Sequence, residues 1–197
     1  MAVVEPLPEE HIEPDLLEQI QFFKGPLGVI PNSVRTMARK PHLARAFTEL
    51  NKAVMTCEGQ VTPEFKRLIG YVTSFVAGCR YCQAHTILAS ERFGSTEERL
   101  NSVFDYQNSE HFTDREKAAL DFAFAAAEVP NGVTEAHAKN LRKFWSDDDI
   151  VEIMGVIALF GYLNRWNDSM GSTLEDLAVQ AGETYLQNSG WSVGKHG

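Results

Sequence analysis

Apolar residues recur along this chain at steps of three and four, the spacing of one helix face, and prolines, glycines and hydroxyl residues punctuate the runs. Pro14-Asp15 opens a run in which Leu16, Leu17, Ile20, Phe22 and Phe23 keep helical spacing up to Gly25-Pro26. Pro31-Asn32-Ser33 begins a short helix that Pro41 ends. From His42 to Cys57 the positions Leu43, Phe47, Leu50, Val54 and Met55 recur in the same way, with Gly59 as the stop. Thr62-Pro63-Glu64 joins a hydroxyl cap, a proline at the first helical position and an acid in the first turn. It predicts a helix to about Ala77-Gly78, with a second following at once. Ser95 with Glu98, and Thr113 with Glu116, match the reciprocal capping pattern S/T-x-x-E. Ser146 precedes Asp147, Asp148 and Asp149, acids that suit the positive end of a long apolar helix from Ile150 to Trp166. A last helix is expected from Leu174 to Leu186. No segment alternates strictly with period two, so the pattern predicts an all-α domain of roughly eight to ten helices.

At 197 residues the chain is read as one domain, 1–197, with an N-terminal arm and helix over residues 1–30. A hydrophobic content of 44% is enough for a sizeable core and excludes wholesale disorder. Eighteen basic against 27 acidic side chains leave a net charge of −9, which disfavours binding to nucleic acid, since phosphate neutralisation needs clustered cations. The first residues, MAVVEPLPEEH, lack the basic start and apolar run of a secretion signal. The longest apolar stretch, Ile153 to Leu163, is too short for a bilayer span of about 20 residues. A cytoplasmic protein without a membrane partner is expected, and three cysteines in such a compartment are not a disulfide framework.

One constellation carries chemistry: Gly78-Cys79-Arg80-Tyr81-Cys82-Gln83-Ala84-His85, within a CxxC core over residues 62–94. If a helix opens at Cys79, then Cys79, Cys82 and His85 share one broad face at successive i, i+3 steps, about 5–6 Å apart at Cβ. A disulfide needs roughly 3.5–4.5 Å between Cβ atoms, so closure requires a tightened first turn and gives a readily exchanged bond. The helix N-terminus and the Arg80 cation both favour a thiolate, and His85 can act as base to Cys82. A thiolate attacks a peroxide oxygen to give a sulfenic acid, which a second thiol condenses to a disulfide. Two other readings stand beside this one. The cysteines can be small core residues, or Cys79, Cys82 and His85 can ligate zinc with a fourth ligand from Cys57 or another histidine, although no second knuckle is present. Cys57 itself reads as core filling. Glu64 reads first as a favourable helix-terminal charge and second as an acid facing the thiols. His11, His111 and His196 read as exposed, and His42 and His137 have no visible partner. The polar cluster Asn164, Arg165, Asn167 and Asp168 suits caps or subunit contacts.

The stretch TPEFKRLIGYVTSFVAGCRYCQAHT resembles the core of the carboxymuconolactone decarboxylase and AhpD-like alkylhydroperoxidase superfamily. GVIPNSVRTMARKPHLARAF, FTDREKAALDFA and FGYLNRWNDSMGSTLE resemble its peroxidase-related subgroup, so the likeness covers roughly residues 20 to 180. The resemblance implies an AhpD-like multi-helix bundle that assembles into trimers or hexamers. It implies hydroperoxide reduction by a Cys79–Cys82 pair that an external dithiol re-reduces, with no metal or organic cofactor. By motif position Cys82 is the attacking thiol, Cys79 the more exposed resolver, and His85 a member of the proton relay, with Glu64 as a further acid. Three departures stand out. Arg67 replaces the family's glutamate twelve residues before the first cysteine, Tyr81 replaces a histidine between the cysteines, and His85 follows the second cysteine by three residues rather than four. Arg67 reads as a solvated or ion-paired surface residue, or as a site for an anionic substrate. The alternatives to turnover are a zinc-stabilised helical binding module and a helical scaffold whose thiols only sense redox state.

Overall fold

The computed structural model describes residues 2–56 and 59–197, and Cys57 lies outside the described residues. Eleven α-helices and no strand occur among the described residues. They are α1 (Pro14–Ile20), α2 (Lys24–Leu27), α3 (Asn32–Met37), α4 (Pro41–Met55), α5 (Pro63–Val76), α6 (Arg80–Arg92), α7 (Glu97–Ser102), α8 (Asp114–Ala127), α9 (Glu135–Leu141), α10 (Asp147–Met170) and α11 (Asp176–Tyr185).

Local chemistry sets most of these ends. The Thr62 hydroxyl accepts the Phe65 amide to start α5, while Thr113 with Glu116 and Ser146 with Asp149 form reciprocal caps at α8 and α10. The same device starts α9, where His137 stands at the third position and its Nδ1 accepts the Thr134 amide. Helix α9 has no counterpart in the sequence reading because histidine replaces the usual acid. Helix α7 is capped by Thr96 rather than Ser95, and the Ser95 hydroxyl instead joins Ser90 and Glu64.

Helices α5 and α6 form an antiparallel hairpin at the centre, with α10 packed across both, α8 against α5, and α11 against α6. A Cβ on Gly70 would overlap the Phe160 ring, so this glycine permits the close approach of α5 and α10. Residues Tyr81 to Ser90 of α6 are buried without a break, which is why no apolar stripe marks this helix in sequence. Its polar side chains are satisfied inside the fold: Thr86 donates to the Cys82 carbonyl at 2.9 Å, and Gln83 to the Ser74 carbonyl at 3.4 Å.

Both chain ends are docked. Arg35 Nε donates to the Leu7 carbonyl and Arg39 Nε to the Glu5 carbonyl, pinning the N-terminal arm. At the other end, Trp191 Nε1 donates to the Arg80 carbonyl at 3.0 Å, and Arg80 Nη1 to the Ser192 carbonyl at 3.1 Å. His196 is buried rather than exposed. Its Nδ1 donates to the Ser172 carbonyl at 2.8 Å, and its own carbonyl accepts the Leu174 amide at 2.8 Å. No helix is long and apolar enough to cross a membrane among the described residues.

Candidate active site

The hairpin turn places the first cysteine. Gly78 adopts φ +72°, a left-handed conformation that suits glycine, and its amide donates to the Phe75 carbonyl while the Cys79 amide donates to Ser74. This pair of bonds is the Schellman termination of α5. The chain then turns straight into α6 with Cys79 as its N-cap, and the Cys79 carbonyl accepts the Gln83 amide at 3.1 Å.

Cys79 and Cys82 are buried free thiols. The Cys82 S–H donates to the Cys79 sulfur, which, together with the Cys82 and Tyr81 amides at the helix start, holds Cys79 below the usual thiol range despite burial. Burial, and then the thiolate next door, push Cys82 well above it. Of the two thiols, Cys79 is therefore the one that loses its proton first. The Asn167 side-chain amide donates to the Cys82 sulfur at 3.3 Å, and the Ser172 hydroxyl fixes that amide by donating to its Oδ1 at 3.0 Å.

His85 Nδ1 lies 3.0 Å from the Tyr81 carbonyl, which can only accept, so Nδ1 carries a proton. Nε2 lies 2.7 Å from Glu175 Oε2, off the line of a good hydrogen bond, and neither atom has another described partner. Burial by itself would lower the His85 pKa, but the Glu175 carboxylate more than offsets this and raises it. Reciprocally, burial would raise Glu175, and His85 brings it below the usual carboxylate range. The other Glu175 oxygen accepts the Asn32 amide at 2.5 Å and the Tyr81 hydroxyl at 3.2 Å. Tyr81 also stacks on the His85 ring, with centroids 4.3 Å apart.

Cys82, His85 and Asn167 face a cleft with a free volume of about 80 Å³, whose body is apolar: Phe23, Leu27, Val34, Phe47, Phe160 and Leu163 are among its walls. Cys79 does not line it. Cys79 is in fact fully buried and Cys82 2% exposed, so the first cysteine is not the more exposed of the two. Arg67 also lines the cleft and is 5% exposed, which corrects its reading as a solvated surface residue.

Three of the four residues expected at the site, Cys79, Cys82 and His85, come together. Glu64 does not join them. Its carbonyl faces Ser90, more than two helical turns beyond Cys82, and its carboxylate is paired with Arg99 Nε at 2.9 Å. The acid beside His85 is Glu175. Sequence reasoning does not single out Glu175 and reads Asn167 only as part of a polar cluster suited to caps or subunit contacts; both lie within the FGYLNRWNDSMGSTLE stretch, and nothing local in it points to the thiols. Among the described residues, no group of three or more His, Cys, Asp or Glu side chains is placed to hold a metal ion.

The multi-helix bundle built around the α5–α6 hairpin is the all-α fold shared with AhpD-core proteins. The sequence profile of the Carboxymuconolactone decarboxylase family matches residues 41–125. The debrominase Bmp8 is 31% identical, with 93% of this chain and 97% of that one aligned and a TM-score of 0.86. A cysteine-to-alanine form of Bmp8 in complex with 2,3,4-tribromopyrrole aligns equally well. A peroxidase-related protein with an AhpD core from Ralstonia eutropha JMP134 shares the fold at 24% identity, covering 90% and 96% of the two chains, with a TM-score of 0.77. YnjA of Escherichia coli K12 is 28% identical over 109 residues, and the match spans 59% of that curated relative's length. The chain belongs to the carboxymuconolactone decarboxylase and AhpD-like superfamily.

Proposed function

We propose that this protein is a dithiol oxidoreductase that delivers two electrons from Cys79 and Cys82 to a small, largely apolar electrophile, with an organic hydroperoxide as the first substrate class. The observation that carries the reading is the orientation of the pair: Cys82 faces the apolar cleft beside His85 and Asn167, while Cys79 sits behind it at the helix N-cap. The Cys82 proton passes to the Cys79 thiolate, and the Cys82 thiolate attacks the terminal peroxide oxygen. The O–O bond breaks, Cys82 becomes a sulfenic acid, and the departing alkoxide takes a proton from His85, whose charged form Glu175 favours. Cys79 then attacks the sulfenic sulfur, water leaves, and a Cys79–Cys82 disulfide remains for an external dithiol to reduce. In the oligomeric assembly expected for the family, each cleft would run this cycle with its own pair.

A second substrate class is favoured by the likeness to a debrominase across 93% of the chain. The same two thiols balance the replacement of an aromatic C–Br bond by C–H, with release of bromide and a proton and formation of the same disulfide. Intact-mass analysis of the reduced protein decides the common core. One equivalent of cumene hydroperoxide should remove two hydrogens, mapped to Cys79 and Cys82 and restored by dithiothreitol. Parallel turnover of cumene hydroperoxide and 2,3,4-tribromopyrrole with dithiothreitol then separates the substrate classes. Undiminished turnover in Cys82→Ser would sink the reading for both.

A further inference from the structure

Arg67 is a buried cation whose hydrogen bonds to the described residues all run through Nη1. Nη1 donates to the Pro63 carbonyl at 2.9 Å and to the Met55 carbonyl at 3.3 Å, and the Cζ atom lies 4.2 Å from the centre of the Phe93 ring. These contacts fix the plane of the group. The three N–H bonds on Nε and Nη2 find no acceptor among the described residues, and no described carboxylate pairs with the side chain. Neighbouring cations are treated differently. Lys66 is equally buried but donates to the Val54 and Thr56 carbonyls, both at 2.7 Å, and lies 3.6 Å from Glu152. Arg99 is held between Glu64 and Glu116. Burial lowers the Arg67 pKa to about 10, and the charge is retained at neutral pH. The free Nε/Nη2 edge is the side of arginine that takes a carboxylate in two parallel hydrogen bonds.

The position of this edge gives it a use. Arg67 and Ala89 line the cleft at one end, and Cys82 and His85 line it further along α6. The hairpin register, with Ser90 beside Glu64 and Gln83 beside Ser74, sets Arg67 opposite the stretch from Ile87 to Ala89. At ~1.5 Å rise per residue, five to seven residues separate that level from Cys82 by about 8–10 Å. A carboxylate on Arg67, one ring or short chain across the apolar walls, and a reducible group at the Cys82 sulfur fill this length. The free volume of about 80 Å³ admits nothing much larger than one ring.

Resting on the reductase reading above, the geometry points to a substrate that carries a carboxylate: Arg67 is the anion-binding end of the cleft, and it selects small carboxylated hydroperoxides or halogenated aromatic acids and orients their reducible bond toward Cys82. The test is binding to the reduced full-length protein by isothermal titration, with benzoate as probe and benzamide as its neutral counterpart. Benzoate should bind at least about tenfold more tightly. The preference should vanish in Arg67→Met, persist in part in Arg67→Lys, and survive in Cys82→Ser. Benzoate should also slow iodoacetamide alkylation of Cys82 in the unmodified protein, with benzamide far less effective, which keeps the test decisive if Arg67→Met does not fold. Equal affinities, no benzoate binding, or an intact preference in Arg67→Met overturns the assignment and leaves Arg67 as a structural link between α4 and α5. Turnover of neutral hydroperoxide without a benzoate preference overturns this inference alone. A benzoate preference without thiol turnover overturns the reductase reading alone.

Discussion

The His85 imidazole lies against the Glu175 carboxylate: Nε2 and Oε2 are 2.7 Å apart, and the imidazole Nδ1–H is already committed to the Tyr81 carbonyl. Under the proposed cycle the ring gives its proton to the departing alkoxide and takes a new one from solvent, and the Glu175 carboxylate, which has no proton of its own to give, favours that recharging.

This pair gives the fold a defined pH response. The folded His85 pKa lies above the unfolded value of about 6.5, so its contribution is complete below that pH and is lost as pH rises through the folded value. The folded Glu175 pKa lies below its unfolded value of about 4.3, so its contribution is present above that pH and lost as pH falls through the folded value. Glu175→Gln should lower stability by about 1–3 kcal/mol. The gap in Tm from the parent protein should be widest between pH ~4.3 and ~6.5 and should narrow at alkaline pH. A gap independent of pH would mean that the charges of the two side chains are not coupled.

Asn167 acts on the Cys82 sulfur through one amide donor. Asn167→Ala should raise the Cys82 pKa further and slow its alkylation by iodoacetamide roughly tenfold at neutral pH, the scale of about one hydrogen bond to a charged group. The comparison is made by mass spectrometry of the Cys82 peptide over a pH series. An unchanged profile would reduce the contact to packing.

Cys79→Ser separates attack from resolution. Under the proposed cycle it should still consume one equivalent of hydroperoxide and then stop, with a sulfenic acid on Cys82 that dimedone traps as a mass adduct. Dimedone labelling of Cys79 in Cys82→Ser, with none on Cys82 in Cys79→Ser, would reverse the order of the two thiols.

Much of the scaffold is written locally and could be read without tertiary information. The starts of α5, α8 and α10 depend on Thr62, Thr113 and Ser146 and on residues within one turn of them. The CxxC pair and His85 belong to the same category, since they share the opening turns of one helix. Glu64 shows where such reading fails. It lies near the position at which the family carries a glutamate, yet the antiparallel hairpin sends the start of α5 to the far end of α6, beside Ser90. Glu175 and Asn167 reach the site only because α10 and α11 pack on α6, and no local spacing encodes that. Arg67 reads as exposed because its helix face is set by α4 and Phe93, which are remote in sequence.

Gly182 reports on the C-terminal segment. A Cβ there would meet the Trp191 ring at 2.5 Å, so Gly182→Ala must displace the indole from its seat on α11. The substitution should cost about 1–3 kcal/mol, read as a lower denaturant midpoint, and should speed alkylation of Cys79. A loss of stability with no change at Cys79 would show that the segment does not cover the thiol.

In the proposed cycle, that docked segment divides the two thiol steps between two faces of the molecule. Cys82 faces the cleft, whereas Cys79 is buried at the N-cap of α6, whose first turn is tied to Trp191 and Ser192 through Arg80. If that strap covers the Cys79 sulfur, as the Gly182→Ala alkylation experiment tests, a reductant that targets this buried sulfur must wait for the strap to lift. In the proposed cycle, regeneration of the dithiol would then obey the frequency of a local unfolding event, so its velocity should level off at high reductant concentration while the single-turnover oxidation of the reduced protein stays first order in peroxide.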